Sequence, residues 1–126
     1  MKEIKILIVE DTAFWGIMLS REFKKMGVSS DWVKNGKLAV DRIQEASMEY
    51  HGILMDIQMP LMNGLEATRR IRDLGFEKPI IGFSSMGDAE DIARGLEAGM
   101  NGYIKKSVDY KILETLLTKL EILKKA

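Results

Sequence analysis

The chain predicts an α/β fold, one parallel five-stranded sheet with five helices on its two faces. Three observations carry this. Five short apolar runs alternate with five longer segments whose apolar residues recur at helical spacing, the pattern of strand–helix–strand units joined by right-handed crossovers. The strand-like runs are nearly continuous in apolar character, as strands covered on both faces require. The 126 residues suffice for one domain with a single core, so residues 1–126 are read as one unit.

The elements follow in order. Residues 4–9 (IKILIV) are β-branched and stop abruptly at Glu10-Asp11, which marks strand one. From 13 to 26, Trp15, Met18, Leu19, Phe23 and Met26 keep a helical period, and Gly27 stands where a helix stops. Residues 30–33 read as strand two, followed by a turn at Asn35-Gly36. Leu38, Ala39, Ile43 and Ala46 mark the second helix, ended by the polar run 47–51. Gly52-Ile53-Leu54 leads into Asp56, and Pro60 and Gly64 cannot continue that third strand. A third helix is expected from about Leu61 to Leu74, with Gly75 beyond it. Pro79 opens strand four, which finishes at Ser84-Ser85. Asp88 is placed to cap a fourth helix carrying Ile92, Ala93 and Leu96 and closing near Gly99. Residues 102–105 form strand five, and Ile112, Leu113, Leu116, Leu117, Leu120 and Leu123 share one stripe of the last helix.

Composition excludes several functions. Nineteen basic and nineteen acidic residues cancel, so nothing favours non-specific binding to nucleic acid or to an anionic membrane. With no cysteine there is neither a disulfide framework nor a thiolate metal site. Met1-Lys2-Glu3 leads into only a short apolar run, so neither a signal peptide nor a membrane span is expected, and a cytoplasmic protein is.

The chemistry gathers at strand ends. Glu10 and Asp11 end strand one, Asp56 ends strand three, Ser84 ends strand four, and Lys106 follows strand five. In a doubly wound, flavodoxin-like sheet of order 2-1-3-4-5, strands one, three, four and five are neighbours, and these side chains converge at the switch point. Two carboxylates about 4 Å apart repel by roughly 4 kcal/mol at an effective dielectric of about 20, so three in one pocket call for a bound cation. The lack of Cys and of clustered His excludes a soft-metal site. Oxygen ligands with room for water suit Mg²⁺, or Mn²⁺ in its place. Lys106 brings a second, movable positive charge. The blander use of Asp56 is as the cap of the third helix.

Four ordered motifs now carry a resemblance: Val9-Glu10-Asp11, Met55-Asp56-Ile57-Gln58-Met59-Pro60 with Gly64, Ser84-Ser85, and Gly102-Tyr103-Ile104-Lys105-Lys106. Together they resemble the receiver domain of bacterial two-component response regulators, over essentially the whole chain. The run from Met55 to Arg72 looks most like the receiver modules of hybrid sensor histidine kinases. The resemblance implies that Asp56 accepts a phosphoryl group from a histidine kinase or histidine-phosphotransfer domain. It implies that Asp11, Asp56 and the backbone carbonyl of Gln58 hold Mg²⁺, with Glu10 acting through metal-bound water. Ser84 would hydrogen-bond the phosphoryl group, Lys106 would pair with it, and Tyr103 would be the switch aromatic, drawn into a space vacated beneath Ser84. An unknown output protein would read the face of helix four, strand five and helix five. Such a module is no enzyme beyond its own phosphorylation and dephosphorylation.

The sequence departs from the family at three points. Ser107 follows Lys106 where proline is usual, which predicts a less constrained loop; Lys105 is the rival lysine, on the opposite face by strand alternation. Glu10 replaces the commoner aspartate, and Ser84 the frequent threonine. His51, the single histidine, lies in a polar turn and reads as a surface residue. Trp15 either packs beside the pocket or closes the core. Two other functions fit the sequence less well. A cofactor binder would need a phosphate-cradling loop after strand one, where Glu10-Asp11 would repel phosphate. A small phosphatase of the haloacid-dehalogenase type would need a second nearby Asp and a cap. A third reading keeps the receiver fold for protein binding alone, without phosphorylation.

Overall fold

In the computed structural model, residues 4–85, 89–106 and 110–119 are described. Five parallel strands, β1 (Lys5–Val9), β2 (Ser29–Val33), β3 (Gly52–Asp56), β4 (Ile80–Ser84) and β5 (Gly102–Lys105), form one sheet in the order β2-β1-β3-β4-β5. Between and after them run α1 (Ala13–Lys25), α2 (Gly36–Ala46), α3 (Gly64–Asp73), α4 (Ala89–Ala98) and α5 (Tyr110–Lys119). This is the doubly wound sheet expected of the alternating pattern.

Strand alternation divides the core. Leu7, Val9, Ile53 and Met55 pack with Ala39 and Ile43 of α2 and with Ala67 and Ile71 of α3. Ile6, Ile8, Leu54, Ile81, Phe83 and Ile104 point the other way, onto Leu19 and Phe23 of α1 and Leu113 and Leu117 of α5. Register between β1 and β3 (Val9 beside Met55) and between β3 and β4 (Asp56 beside Phe83) brings the ends of these strands level.

Several local expectations change. Asn35-Gly36 is a helix start rather than a turn: the Asn35 side chain caps α2 by accepting from the Leu38 amide at 2.9 Å. Helix α3 begins at Gly64, three residues later than the apolar pattern suggested, and its cap is Asn63, which accepts from the Glu66 amide at 3.0 Å. Asp56 is therefore not the cap of that helix. The intervening loop turns sharply at Leu61 (φ 71°), where the Met62 amide meets the Pro60 carbonyl at 2.8 Å, a γ-turn closed over one residue. Its return brings the Gly64 amide to the Ile57 carbonyl at 2.9 Å, so close that a Cβ on Gly64 would lie 2.2 Å from the Asp56 carbonyl oxygen. Only glycine fits there.

Leu38, Ile92, Ala93 and Leu96, expected on inner faces, are exposed. The inner surface of α4 is Gly95 and Ala98, with Met100 laid against Gly95, so small residues bring the helix close and its larger apolar ones face outward. Strand β4 starts at Ile80, and Pro79 before it accepts from the Ile53 amide through its carbonyl at 3.0 Å. Met86, the proposed cap Asp88, Ser107, Leu120 and Leu123 lie outside the described residues, as do the side chains of Ile112 and Leu116. Among the described residues, no helix is long and apolar enough to cross a membrane.

Candidate functional site

Glu10 leaves β1 fully buried and is fixed on every side. Its amide donates to the Val33 carbonyl at 3.1 Å, its carbonyl accepts from the Trp32 indole at 2.8 Å, and Oε1 accepts from the Thr12 amide at 3.1 Å. Trp32 reaches it across Gly16, where a Cβ would fall 2.3 Å from the indole. Asp56, 1 % exposed, ends β3; its Oδ1 accepts from the Gln58 amide at 3.3 Å. Asp11 stands exposed at the mouth. One carboxylate oxygen from each of Glu10, Asp11 and Asp56 lies within 4.8 Å of the others.

Lys106 enters from beyond β5. Its backbone amide donates to the Ser84 carbonyl at 2.9 Å, and its ammonium lies 2.9 Å from Glu10 Oε2 and 3.3 Å from Asp56 Oδ2. The hydrogen bond to Glu10 goes to Oε1, at 3.1 Å; Oε2, buried and close to the ammonium, accepts none. Lys105 points to solvent, so the lysine that meets the acids is Lys106.

One ammonium does not balance this pocket. Burial, then the Glu10 charge and the hydrogen bond with Asp11, push the Asp56 carboxyl up from 3.8 to about 7 against the opposing pull of Lys106. Burial by itself would lower the Lys106 pKa, but the Glu10 and Asp56 carboxylates outweigh it and leave the ammonium more firmly protonated than usual. A buried carboxylate oxygen without a hydrogen bond, two further acids within reach and an all-oxygen donor set fit a small hard divalent cation.

The remaining predicted residues surround this centre. Ser84 is 2 % exposed at the end of β4. Tyr103 is already turned inward, half-buried, with its hydroxyl donating to the Ser84 carbonyl at 3.3 Å. The resemblance assigned an inward position to the phosphorylated state, and here the ring is turned inward in the unmodified chain. Gly82, the partner of Tyr103 in register, makes room chiefly for Met100, whose sulfur would lie 2.8 Å from a Cβ there, and the Tyr103 ring lies beside it. Trp15 serves both uses considered for it: it packs on the α1 side of the core and meets Phe83 edge-on at 5.4 Å beside the pocket. His51 is far from this edge, before β3, where its Nδ1 accepts from the Lys5 amide at 3.1 Å.

Sequence reasoning missed Trp32, Thr12 and Phe83. Nothing in a strand-like Ser-Ser-Asp-Trp-Val run points to an indole that holds a carbonyl of the neighbouring strand. Gly64 was legible as a strand breaker and as part of the motif around Asp56, but not as the point where the loop returns onto the Asp56 backbone.

Fold and site together define a class: a doubly wound α/β module with a cation-demanding carboxylate pocket, completed by a lysine, at its switch point. The family model for the response regulator receiver domain matches residues 6–118, and the chain belongs to that family. It is 36% identical over 123 residues to the two-component response regulator ORR41 of Oryza sativa subsp. japonica, covering 96% of this chain and 97% of that protein. It is 35% identical over 120 residues to the osmosensing histidine protein kinase SLN1 of Saccharomyces cerevisiae, where the match takes 91% of this chain and 10% of the kinase. Among solved structures, the receiver domain of the sensor histidine kinase PA1611 of Pseudomonas aeruginosa, with a magnesium ion coordinated in its active-site cleft, superposes with a TM-score of 0.85 at 30% identity, covering 94% of this chain and 98% of that one. Receiver domains work in two-component signalling with histidine kinases or phosphotransfer proteins.

Proposed function

We propose that this chain is the phosphoacceptor of a two-component phosphorelay, taking a phosphoryl group from a partner phosphohistidine onto Asp56 with Mg²⁺ bound. The observation that carries the reading is the convergence of Glu10, Asp11 and Asp56 within 4.8 Å, with Lys106 as their single close counter-charge among the described residues. Mg²⁺, when bound, supplies the positive charge that keeps Asp56 ionised and neutralises the phosphoryl oxygens. Asp11, Asp56 and the Gln58 carbonyl would hold it, and Glu10 would act at longer range.

A carboxylate oxygen of Asp56 forms a bond to phosphorus as the phosphorus–nitrogen bond of the donor breaks, and the imidazole leaves with the electron pair and takes up a proton. Lys106 pairs with the transferred oxygens and Ser84 donates to them. Such a chain catalyses only its own phosphorylation and dephosphorylation. The output partner would read the surface of α4, β5 and α5, whose state shifts with the charge on Asp56.

Intact mass after incubation with Mg²⁺ and a small acyl phosphate tests this. The wild type should gain one phosphoryl group and Asp56→Asn none. A wild-type level of phosphoprotein in the variant would remove Asp56 from its role. No product from the wild type would leave a receiver fold used for protein binding alone.

A further inference from the structure

The Lys106 ammonium has two kinds of neighbour. Besides the carboxylates of Glu10 and Asp56, it lies 5.9 Å from the centroid of the Trp15 ring and 5.7 Å from that of Phe83. The rings pack edge-on against each other with their centroids 5.4 Å apart, and Phe14 meets Trp15 edge-on from the other direction, also at 5.4 Å. Phe83 is 3 % exposed and Trp15 is partly buried against the core, so both rings are held in place by packing. The side chain of Lys106 is itself only 12% exposed. A cation held within about 6 Å of aromatic faces, largely out of water, is attracted by the negative ring faces.

This matters when a divalent cation arrives. The ion competes with the ammonium for the same carboxylate oxygens and repels it, so contacts with Glu10 and Asp56 alone would release Lys106 when it is needed at the pocket. We infer that Trp15 and Phe83 are positioning residues for Lys106: their rings keep the ammonium at the pocket edge after a cation has taken the carboxylates, within reach of a phosphoryl group on Asp56. The inference rests on the function proposed above. It adds two residues, one on α1 and one on β4, that touch neither metal nor phosphoryl group and act through the lysine.

The test reads the lysine directly. In protein labelled with carbon-13 at the lysine ε-carbons, the Lys106 signal is assigned by its loss in Lys106→Met. Ring currents should move its ε-protons upfield of the other lysines, and the displacement should persist at saturating Mg²⁺. In Trp15→Leu it should shrink; Phe83→Leu provides the same measurement should Trp15→Leu fail to fold. A signal that joins the other lysines when Mg²⁺ is added to the wild type would overturn the inference.

Kinetics supply the second arm. Trp15→Leu should slow phosphorylation by a small acyl phosphate about fivefold, as loss of a partly buried cation–ring contact predicts, while Mg²⁺ affinity measured with the metal alone stays within about twofold. Trp15→Phe should restore most of the rate. Equal rates in Trp15→Leu and wild type, or a parallel loss of rate and Mg²⁺ affinity, would show that the ring does not act through the lysine. If the wild type takes no phosphoryl group, the functional reading falls, and the resonance shift with Mg²⁺ still decides where the lysine is held.

Discussion

Two aspartates on neighbouring parts of the same sheet are treated in opposite ways. Asp31, on β2, accepts from the Tyr50 hydroxyl at 2.6 Å and lies 3.1 Å from the Lys5 ammonium and 3.3 Å from the Arg42 guanidinium. Burial acts to raise its pKa, but the Tyr50 hydroxyl and the Lys5 and Arg42 charges outweigh this and leave it below the ordinary carboxylate value. Asp56, deeper and facing two other acids, goes up to about 7. The cluster around Asp31 has its charges matched and its donors used, as a structural ion network does. The pocket around Asp56 is short of positive charge, as the function proposed above requires.

The largest expected effect comes from removing the unbalanced carboxylate. A carboxyl raised in the folded state stabilises the fold fully below its unfolded value of 3.8, and that contribution is lost as pH rises toward about 7. Without metal, Asp56→Asn should therefore be more stable than the wild type by roughly 3 kcal/mol at about pH 8, and the gap should close at about pH 4. Urea unfolding in a chelator at the two pH values measures it. A variant less stable than the wild type at the higher pH would mean that the pocket is already balanced, and the contrast with Asp31 would disappear.

Cation binding sharpens the same contrast. Mg²⁺ should raise the unfolding midpoint of the wild type at neutral pH and flatten its pH dependence, because the ion binds the ionised pocket of the folded state. Asp11→Ala, which removes a ligand assigned direct coordination, should weaken Mg²⁺ binding at least tenfold, and Glu10→Gln by less. Calorimetric titration separates the two. Equal losses would refute the division of roles between the neighbouring acids.

These contrasts were only partly legible in the sequence. Strand five was readable to the residue, and so was the placement of Asp56 and Glu10-Asp11 at strand ends, because short apolar runs closed by acids have few alternative readings. The inner face of α2 was read in part: Ala39 and Ile43 are buried as expected, Gly36 joins them, and Leu38 is exposed. That of α4 was misjudged, because it is made by Gly95 and Ala98, and large apolar residues at helical spacing point to Ile92 and Leu96 instead. The start of α3 was missed because its position follows from the return of the loop onto the Asp56 backbone at Gly64, a tertiary contact. The Trp32 bond to Glu10 and the whole Asp31 network are contacts between residues distant in sequence, and no local pattern announces them.

The smallest effect concerns the balanced cluster. A carboxylate whose folded pKa is depressed contributes stability above its unfolded value, lost as pH falls through the folded one, so the sign is opposite to that of Asp56. Asp31→Asn at about pH 7 should destabilise the fold by about 1 kcal/mol, because the charges that face Asp31 are partly exposed and screened by water. Tyr50→Phe should cost about as much: it removes the hydroxyl that donates to Asp31 and accepts from Arg42, leaving the ring in place. Neither substitution should change Mg²⁺ affinity, since neither residue belongs to the acidic pocket. The same substitution, aspartate to asparagine, would then stabilise the protein at one strand and destabilise it at another, and the difference would report which carboxylate the fold uses and which it holds in reserve. Stabilisation by Asp31→Asn, or loss of Mg²⁺ affinity in Tyr50→Phe, would show that the two clusters are not independent.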